Sequence, residues 1–546
     1  MREKHPLFSP RVYAGLLLVL LIVTGIYCFI KPLVLSIDSV YGFLAYKGSL
    51  FFHSFNVVQE VTPGDIGRLV PVFESWWSPG QWLFPGLLNY VFGIRLGLAG
   101  ILVTIASLVS GFIGYYRVFD FYRFPRTIIF LSLLLIFSSS TLYYCFVVYQ
   151  GGEILEFGIF PWFLLYVIRI RRVSWWNLAG TGILFLLCFL GKTTLLLYCS
   201  FVLLAKIFQL NEGPAGTGIR FSLKSLRLLL PALLCLVLVS VFFLSRGPRP
   251  VLIHHFGISA DAVLVPLSSP LCSILSVQQW IKRGEAVLSG LSPAGGYATL
   301  ISHAVYLLVF AILVWLARYF FRNKKIDLSY KRLLLILYTG LLVFFCFAYS
   351  FDANIDLSSR HFKLMGYLFI PGLITVLQEK AGSFRIQLAT VFFVLVSILD
   401  IFYLKEKWTK DRYVGINYFY RNCSPPGVKD KLDRESYQKI VEIDRGEPDG
   451  KGEPVVFFVE STADIAIDLR HPVILQTPGD NLRDKVYRKN GAKLFVCISK
   501  STLLQNAGIL QWIFPDYRNF EPIGETGEYR YFLCSGRQEP AGTNNP

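Results

Sequence analysis

Charge is scarce in this chain. Of its 546 residues only 16% are Asp, Glu, Lys or Arg, against about 25% in soluble domains, too few to keep the surface of a soluble enzyme wet. A hydrophobic fraction of 54% excludes disorder, which needs the opposite composition. Familiar chemical signatures are missing too. No Cys/His pattern has zinc spacing, and no paired Asp cluster demands a divalent metal. Gly191-Lys192 has Leu186 where a Walker-type phosphate loop needs glycine, so the nucleotide-binding reading fails. No serine occupies a G-x-S-x-G elbow. Of ten cysteines, Cys28, Cys145, Cys188, Cys199, Cys235 and Cys346 fall in apolar runs, where Cys acts as a small apolar side chain. Cys272, Cys423, Cys497 and Cys534 leave a disulfide open without assigning one.

What is present is long apolar blocks, which read as bilayer spans. Eleven are expected, at about 12–30, 96–116, 127–148, 154–168, 176–190, 193–208, 228–245, 298–317, 333–350, 364–378 and 386–403. Basic residues collect on alternate turns: Arg117, Arg123 and Arg126; Arg169, Arg171 and Arg172; Lys206, Arg220, Lys224 and Arg227; and the run from Arg318 to Arg332. The positive-inside rule then predicts a cytoplasmic N-terminus and an external C-terminus. The first block is followed by CFIKPLVLSIDS, with no small-x-small cleavage site, so it is expected to remain as a helix. Predicted cytoplasmic stretches hold 21 basic and 5 acidic residues, nearly all of the net +17. The excess therefore speaks of orientation, not of nucleic acid.

Three outward segments are large: loops 31–95 and 246–297, and the tail. From 408 onward the composition shifts to 19 basic and 19 acidic residues, with β-type runs at 455–460, 472–476, 493–499 and 529–535. Helix-like stretches near 461–470, 480–490 and 501–513 alternate with them. The expected organisation is a transmembrane domain over 1–407 and a small extracytoplasmic α/β domain over 408–546.

Mid-span charges, the mark of ion paths, are nearly absent, and ionisable residues gather at predicted outer helix ends. Asp38 follows the first span in KPLVLSIDSVYGFLAYKGSLF. A carboxylate there can accept a proton from an incoming nucleophile, or it can simply cap a helix. Glu153, with Glu156, opens the fourth span after two glycines, as a site residue or as a partner of the helix dipole. Lys192 stands between two apolar helices, either snorkelling or holding a headgroup phosphate. A cationic group completes the set: Arg246, Arg249, His254 and His255 in SRGPRPVLIHHF, and Arg360, His361 and Lys363 in SSRHFKLMGY. Such residues grip lipid phosphate or make ordinary headgroup contacts.

The order of these features resembles the GT-C superfamily of polyprenyl-phosphate-sugar-dependent glycosyltransferases, which includes protein O-mannosyltransferases and the aminoarabinose transferase of lipid A. The resemblance covers about residues 10–405. It rests on Asp38 after the first span, Glu153 at the start of the fourth, Leu190-Gly191-Lys192, Arg360-His361 before a span with Pro371, and WWSPGQWLFPGLL at 76–88. It implies a GT-C-like polytopic α-helical fold of about eleven spans in a bacterial inner (plasma) membrane. It also implies sugar transfer from a polyprenyl-phosphate donor to a glycan, lipid or protein acceptor by inverting displacement. Asp38 is then the general base, with Glu153 in the catalytic site. Lys192, Arg249 and Arg360 serve the phosphate, and His254, His255 and His361 act as neutral donors or cations. Tyr41, Trp76 and Trp77 in the first loop would stack on sugar faces or, for the tryptophans, anchor the chain at the membrane interface. The family often carries a second acid beside the first, where this chain has Ser39, so no metal is demanded. Trp76-Trp77 is followed by Ser78, not the Asp of oligosaccharyltransferases, which disfavours whole-oligosaccharide transfer to asparagine. The competing expectations are a lipid or sugar flippase, with polar groups along a central path, or a non-enzymatic partner in envelope polysaccharide export.

Overall fold

The structure, a computed structural model, describes residues 9–75, 77–210, 223–247, 256–275, 277–278, 281, 296–351, 355–410, 412–420, 432–448, 454–461, 463–476, 486–488 and 492–535. It divides into two compact units. One comprises residues up to 30, 102–147 and 151–404; the other comprises 31–101, 148–150 and 405 onward.

The first unit is helical, and a helix underlies each of the eleven expected spans. Among the described residues seven helices are long and apolar enough to cross a membrane: Pro10–Ile30, Leu96–Phe121, Gly151–Arg169, Arg227–Arg246, Thr299–Arg322, Leu328–Ser350 and Ser383–Thr409. Their outward faces carry Leu18, Leu234, Val343 and Leu399 at 59–69% exposure, a density of exposed apolar side chains that suits lipid and not water. The protein is an integral membrane protein.

Two departures from the sequence reading have local causes. The block expected at 127–148 holds an unbroken α-helix only over Arg126–Phe137, about 18 Å at 1.5 Å per residue, followed by a short α turn, Ser140–Tyr143, and a 3-10 turn, Tyr144–Phe146. There Ser138 and Ser139 turn their hydroxyls back onto the carbonyls of Leu134 and Ile136, at 2.8 and 2.7 Å, and the chain leaves the α-helix. Conversely, the loop expected at 246–297 contains a buried helix, Ala260–Leu275, with Pro266 and Pro270 inside it. Ser268 and Ser269 donate their hydroxyls to the carbonyls of Leu264 and Val265 one turn back, adding side-chain bonds to a helix in which each proline removes a backbone donor. Against this helix packs Lys363–Ala381. The approach is close at Gly366, where a Cβ would meet Ser273 Oγ at 2.5 Å and Pro270 O at 3.0 Å.

The second unit joins the first outer loop to the tail. Strand β1 (Val34–Leu35) leads through Ser36 into the helix Ile37–Phe52. Strands β2 (Val57–Thr62) and β3 (Asp65–Phe73) form an antiparallel hairpin, and β4 (Val148–Tyr149) pairs in parallel with β1. The tail folds a five-stranded sheet from β5 (Val455–Glu460), β6 (Val473–Gln476), β7 (Lys493–Ser499), β8 (Asn519–Glu525) and β9 (Tyr529–Ser535), in the order β6-β5-β7-β9-β8. The four runs picked out in the sequence are β5, β6, β7 and β9. Strand β8, NFEPIGE, is not among those runs; it carries Pro522 and a bulge toward Gly524, and proline is tolerated because the strand lies at the sheet edge. Ile66 from the hairpin is fully buried among Val456, Phe458 and Phe514, and Ile66 N donates to Arg488 O at 3.0 Å. Lys47 Nζ donates to Ala466 O at 2.9 Å and also to Leu469 O. These contacts are why loop and tail cluster as one body. Cys272, Cys497 and Cys534 are buried and form no disulfide among the described residues; Cys423 lies outside the described residues.

Candidate active site

In the first unit three distant segments meet in one charged cluster. Glu153 lies in the first turn of Gly151–Arg169, where the helix dipole favours a carboxylate. Glu156, three residues on, shares its face. Both are buried, at 7% and 3% exposure. Lys192 ends the helix Trp175–Gly191 in an extended conformation, its N–H donating to Cys188 O at 3.0 Å. That break turns its side chain onto Glu153, with Glu156 3.9 Å away. The third segment is the short 3-10 turn Ser359–Phe362 and the start of Lys363–Ala381.

Arg360 Nη1 lies 3.9 Å from Glu153 Oε1, while its Nη2 donates to Asp356 Oδ1 at 2.9 Å. His361 Nε2 is 3.0 Å from the same Asp356 oxygen, and its ring stacks on Phe345 with centroids 5.2 Å apart. Lys363, only 2% exposed, is paired with both Glu153 and Glu156. Gln278 fixes the turn from the proline-containing helix side: Ser359 N donates to its Oε1 at 2.9 Å, and its Nε2 donates to Leu357 O at 2.8 Å. Tyr198 Oη donates to His361 O.

Three carboxylates, Glu153, Glu156 and Asp356, thus face three fixed cations, Lys192, Arg360 and Lys363. The cations differ in access: Arg360 and Lys192 side chains are 39% and 21% exposed, Lys363 3%. Lys363 is an internal counter-ion, and the other two form the rim. Arg360 Nε and His361 Nδ1 are buried without a hydrogen-bond partner among the described residues, an uncommon condition that calls for a ligand or water.

Burial would raise Asp356, but the hydrogen bond from His361 and the adjacent Arg360 guanidinium outweigh it and hold the carboxyl well below its usual range. Burial pushes His361 down, opposed by its bond to Asp356 and reinforced by Lys192 and Arg360. Burial thus favours the neutral imidazole at His361, whose Nε2 faces Asp356. Because its folded value lies below the unfolded one of about 6.5, the unfolded chain binds the proton first and stability falls as pH drops below neutrality. The His361→Gln variant is expected to lose this part of the dependence, checked by thermal unfolding in detergent from pH 8 to 5.

Asp38 belongs to the second unit. The helix cap there falls to Ser36, whose Oγ accepts from Ser39 N at 3.3 Å, so the capping reading of Asp38 is corrected: Asp38 is the second residue of the helix, and half-buried. Its backbone is tightly held. Ser36 and Ser39 hydroxyls donate to Tyr149 O at 3.0 and 2.9 Å, Tyr149 Oη donates to Gln81 O, and Gln81 Nε2 donates to Asp38 O at 3.3 Å. One turn on, the Tyr41 ring stacks on Trp77, centroids 5.3 Å apart.

Of the residues singled out in the sequence, Glu153, Lys192, Arg360 and His361 are brought together; Arg246 ends a 3-10 turn, Leu244–Arg246. Arg249, His254, His255 and Trp76 lie outside the described residues. Asp356 and Gln278 escaped the sequence reading. Asp356 had one signal, an acid four residues before Arg360; Gln278 had none. Among the described residues no group of three or more His, Cys, Asp or Glu is arranged for a metal ion.

No protein-family model matches the chain, and no curated protein does. Solved structures similar to it include ArnT from Cupriavidus metallidurans in the apo state, at 12% identity over 95% of this chain and 97% of that one, with a TM-score of 0.44. They also include the arabinofuranosyltransferase AftD from Mycobacteria, at 12% identity over 95% of this chain and 41% of that one, with a TM-score of 0.42.

Proposed function

We propose that this protein is a membrane glycosyltransferase that moves a sugar from a polyprenyl-phosphate donor to an extracytoplasmic acceptor with inversion. The observation that carries the reading is the pair Lys192 and Arg360, both at the accessible rim and both oriented by Glu153. In the reaction the acceptor O–H or N–H gives its proton to the Asp38 carboxylate as its heteroatom bonds to the anomeric carbon. The bond from that carbon to the phosphate oxygen breaks, and its electron pair leaves with the polyprenyl phosphate. The donor phosphodiester already carries one negative charge, and a second grows on the leaving phosphate during the step. A cluster already neutral at rest suits this, because fixed donors aimed at developing charge lower the barrier without holding the substrate too tightly. Glu153 then acts as a positioning residue for the two cations, and His361 acts through Asp356 and Arg360.

The test is transfer by the purified full-length protein from a panel of polyprenyl-phosphate sugars, with the anomeric configuration of the product read by NMR. Lys192→Gln and Arg360→Gln are each expected to lower kcat about 100-fold with a smaller change in KM. A rise in KM alone would mean that these cations only bind the donor. The flippase reading draws on the buried Glu156 and Lys363, since buried ionised residues in helices also mark transport paths. Movement of labelled donor across proteoliposomes, without transfer on adding acceptor, would favour it.

A further inference from the structure

The opposite end of the helix Gly151–Arg169 carries a second site. Sixteen residues separate Glu153 from Arg169, about 24 Å along the helix. There a cavity of about 400 Å³ opens between this helix and Trp175–Gly191, lined by Trp162, Tyr166, Arg169, Arg171, Asn177 and Leu184 among others. Among the described residues no acidic one lines it. Arg169, Arg171 and Arg172 are exposed, and none of them makes an ion pair with the described residues. A further cation is fixed close by, Lys206 Nζ donating to Ile168 O at 2.9 Å. Trp175 and Trp176 are 80% and 86% exposed, the placement of indoles that sit at the membrane–water boundary.

The wall is built and not incidental. Tyr166 crosses to the neighbouring helix over Gly180, where a Cβ would meet its hydroxyl at 2.2 Å, and donates to Trp176 O at 3.3 Å. Beneath it Ile170, Leu178, Ile207 and Leu228 form a small core of their own. Topology explains arginines in a cytoplasmic turn, but not an apolar-walled cavity below them. The combination matches one chemistry. Guanidinium groups pair with a phosphodiester, and Trp162 and Leu184 offer an apolar track for a chain.

We propose that this cavity binds an anionic diacyl phospholipid of the surrounding bilayer. The inference stands apart from the glycosyltransferase reading and needs none of its residues. The experiment is native mass spectrometry of the full-length protein in detergent, titrated with dioleoyl phosphatidylglycerol, dioleoyl phosphatidylcholine or inorganic phosphate. One phosphatidylglycerol is expected to bind about 30-fold more tightly than phosphatidylcholine, from two lining arginines, and millimolar phosphate is expected to leave it in place. The variant Arg169→Gln/Arg171→Gln/Arg172→Gln is expected to bind the two lipids alike. Leu184→Trp, which keeps every arginine and fills the apolar track, is expected to lose the bound phosphatidylglycerol; it carries the test should the triple variant misfold. Equal binding of both lipids by the wild type overturns the proposal, as does retained preference in either variant. Displacement by phosphate overturns it too, by reducing the cavity to a simple anion site.

Discussion

Asp38→Asn is expected to leave the protein folded and to lower sugar transfer roughly 10²- to 10⁴-fold, the usual contribution of a positioned general base. The substitution is nearly isosteric, and the backbone at Asp38 is held whichever side chain it carries: Gln81 Nε2 meets its carbonyl, and the Ser36 and Ser39 hydroxyls hold the helix start on Tyr149 O. Losing a carboxylate from a first helical turn costs about 0.3–1 kcal/mol, so thermal unfolding changes little while the proton acceptor is gone. Ser36→Ala makes the opposite control. It removes the N-cap, at about 1 kcal/mol, yet spares the carboxylate, so stability falls while kcat holds. Asp38→Glu keeps a base displaced by one methylene and should retain measurable turnover. Wild-type turnover by a folded Asp38→Asn protein would remove Asp38 from the mechanism. Parallel loss of kcat in Ser36→Ala would show that only the helix start matters.

The fold was legible where one force dominated. Long apolar blocks have no alternative to helices in a membrane, and β5, β6, β7 and β9 are short β-branched and aromatic runs bounded by polar residues. Legibility failed where proline and serine send a local signal that tertiary packing overrides. Pro266 and Pro270 disguise a helix whose backbone is tied by Ser268 and Ser269 and which lies buried against Gly366. Pro522 disguises an edge strand, and the Pro63-Gly64 turn hides a hairpin that the tail core secures through Ile66. In the candidate site, Glu153, Lys192, Arg360 and His361 drew attention as ionisable residues at helix ends. Their partnership did not, because Lys192 and Arg360 are far apart in sequence and nothing local links them. Lys363 looked like one more headgroup cation, and only its burial between two glutamates separates it from the rim pair.

That separation yields the second large effect, on stability and not on chemistry. Lys363→Met removes the cation enclosed with Glu153 and Glu156 and leaves two buried carboxylates sharing the partly exposed Lys192. Breaking a buried ion pair from one side costs about 3–5 kcal/mol, a large part of the 5–15 kcal/mol that holds a typical protein folded. The variant is expected to unfold at much lower temperature in detergent and to give little monodisperse protein. Removing both partners is different, because a neutral pair of similar volume leaves no orphaned charge. Glu156→Gln/Lys363→Met should therefore recover most of the loss, with a coupling energy well above the few tenths found for independent sites. Glu153 is the wrong partner to neutralise for such a rescue, since it also orients Lys192 and Arg360; Glu153→Gln/Lys363→Met should regain stability but not transfer. Lys192→Gln, at the rim, should show the inverse pattern of small stability loss and large kcat loss. If Lys363→Met unfolds at the wild-type temperature, or the double variant recovers nothing, the buried lysine is not the counter-ion that sets this cluster, and the division of the three cations into one internal and two working groups fails.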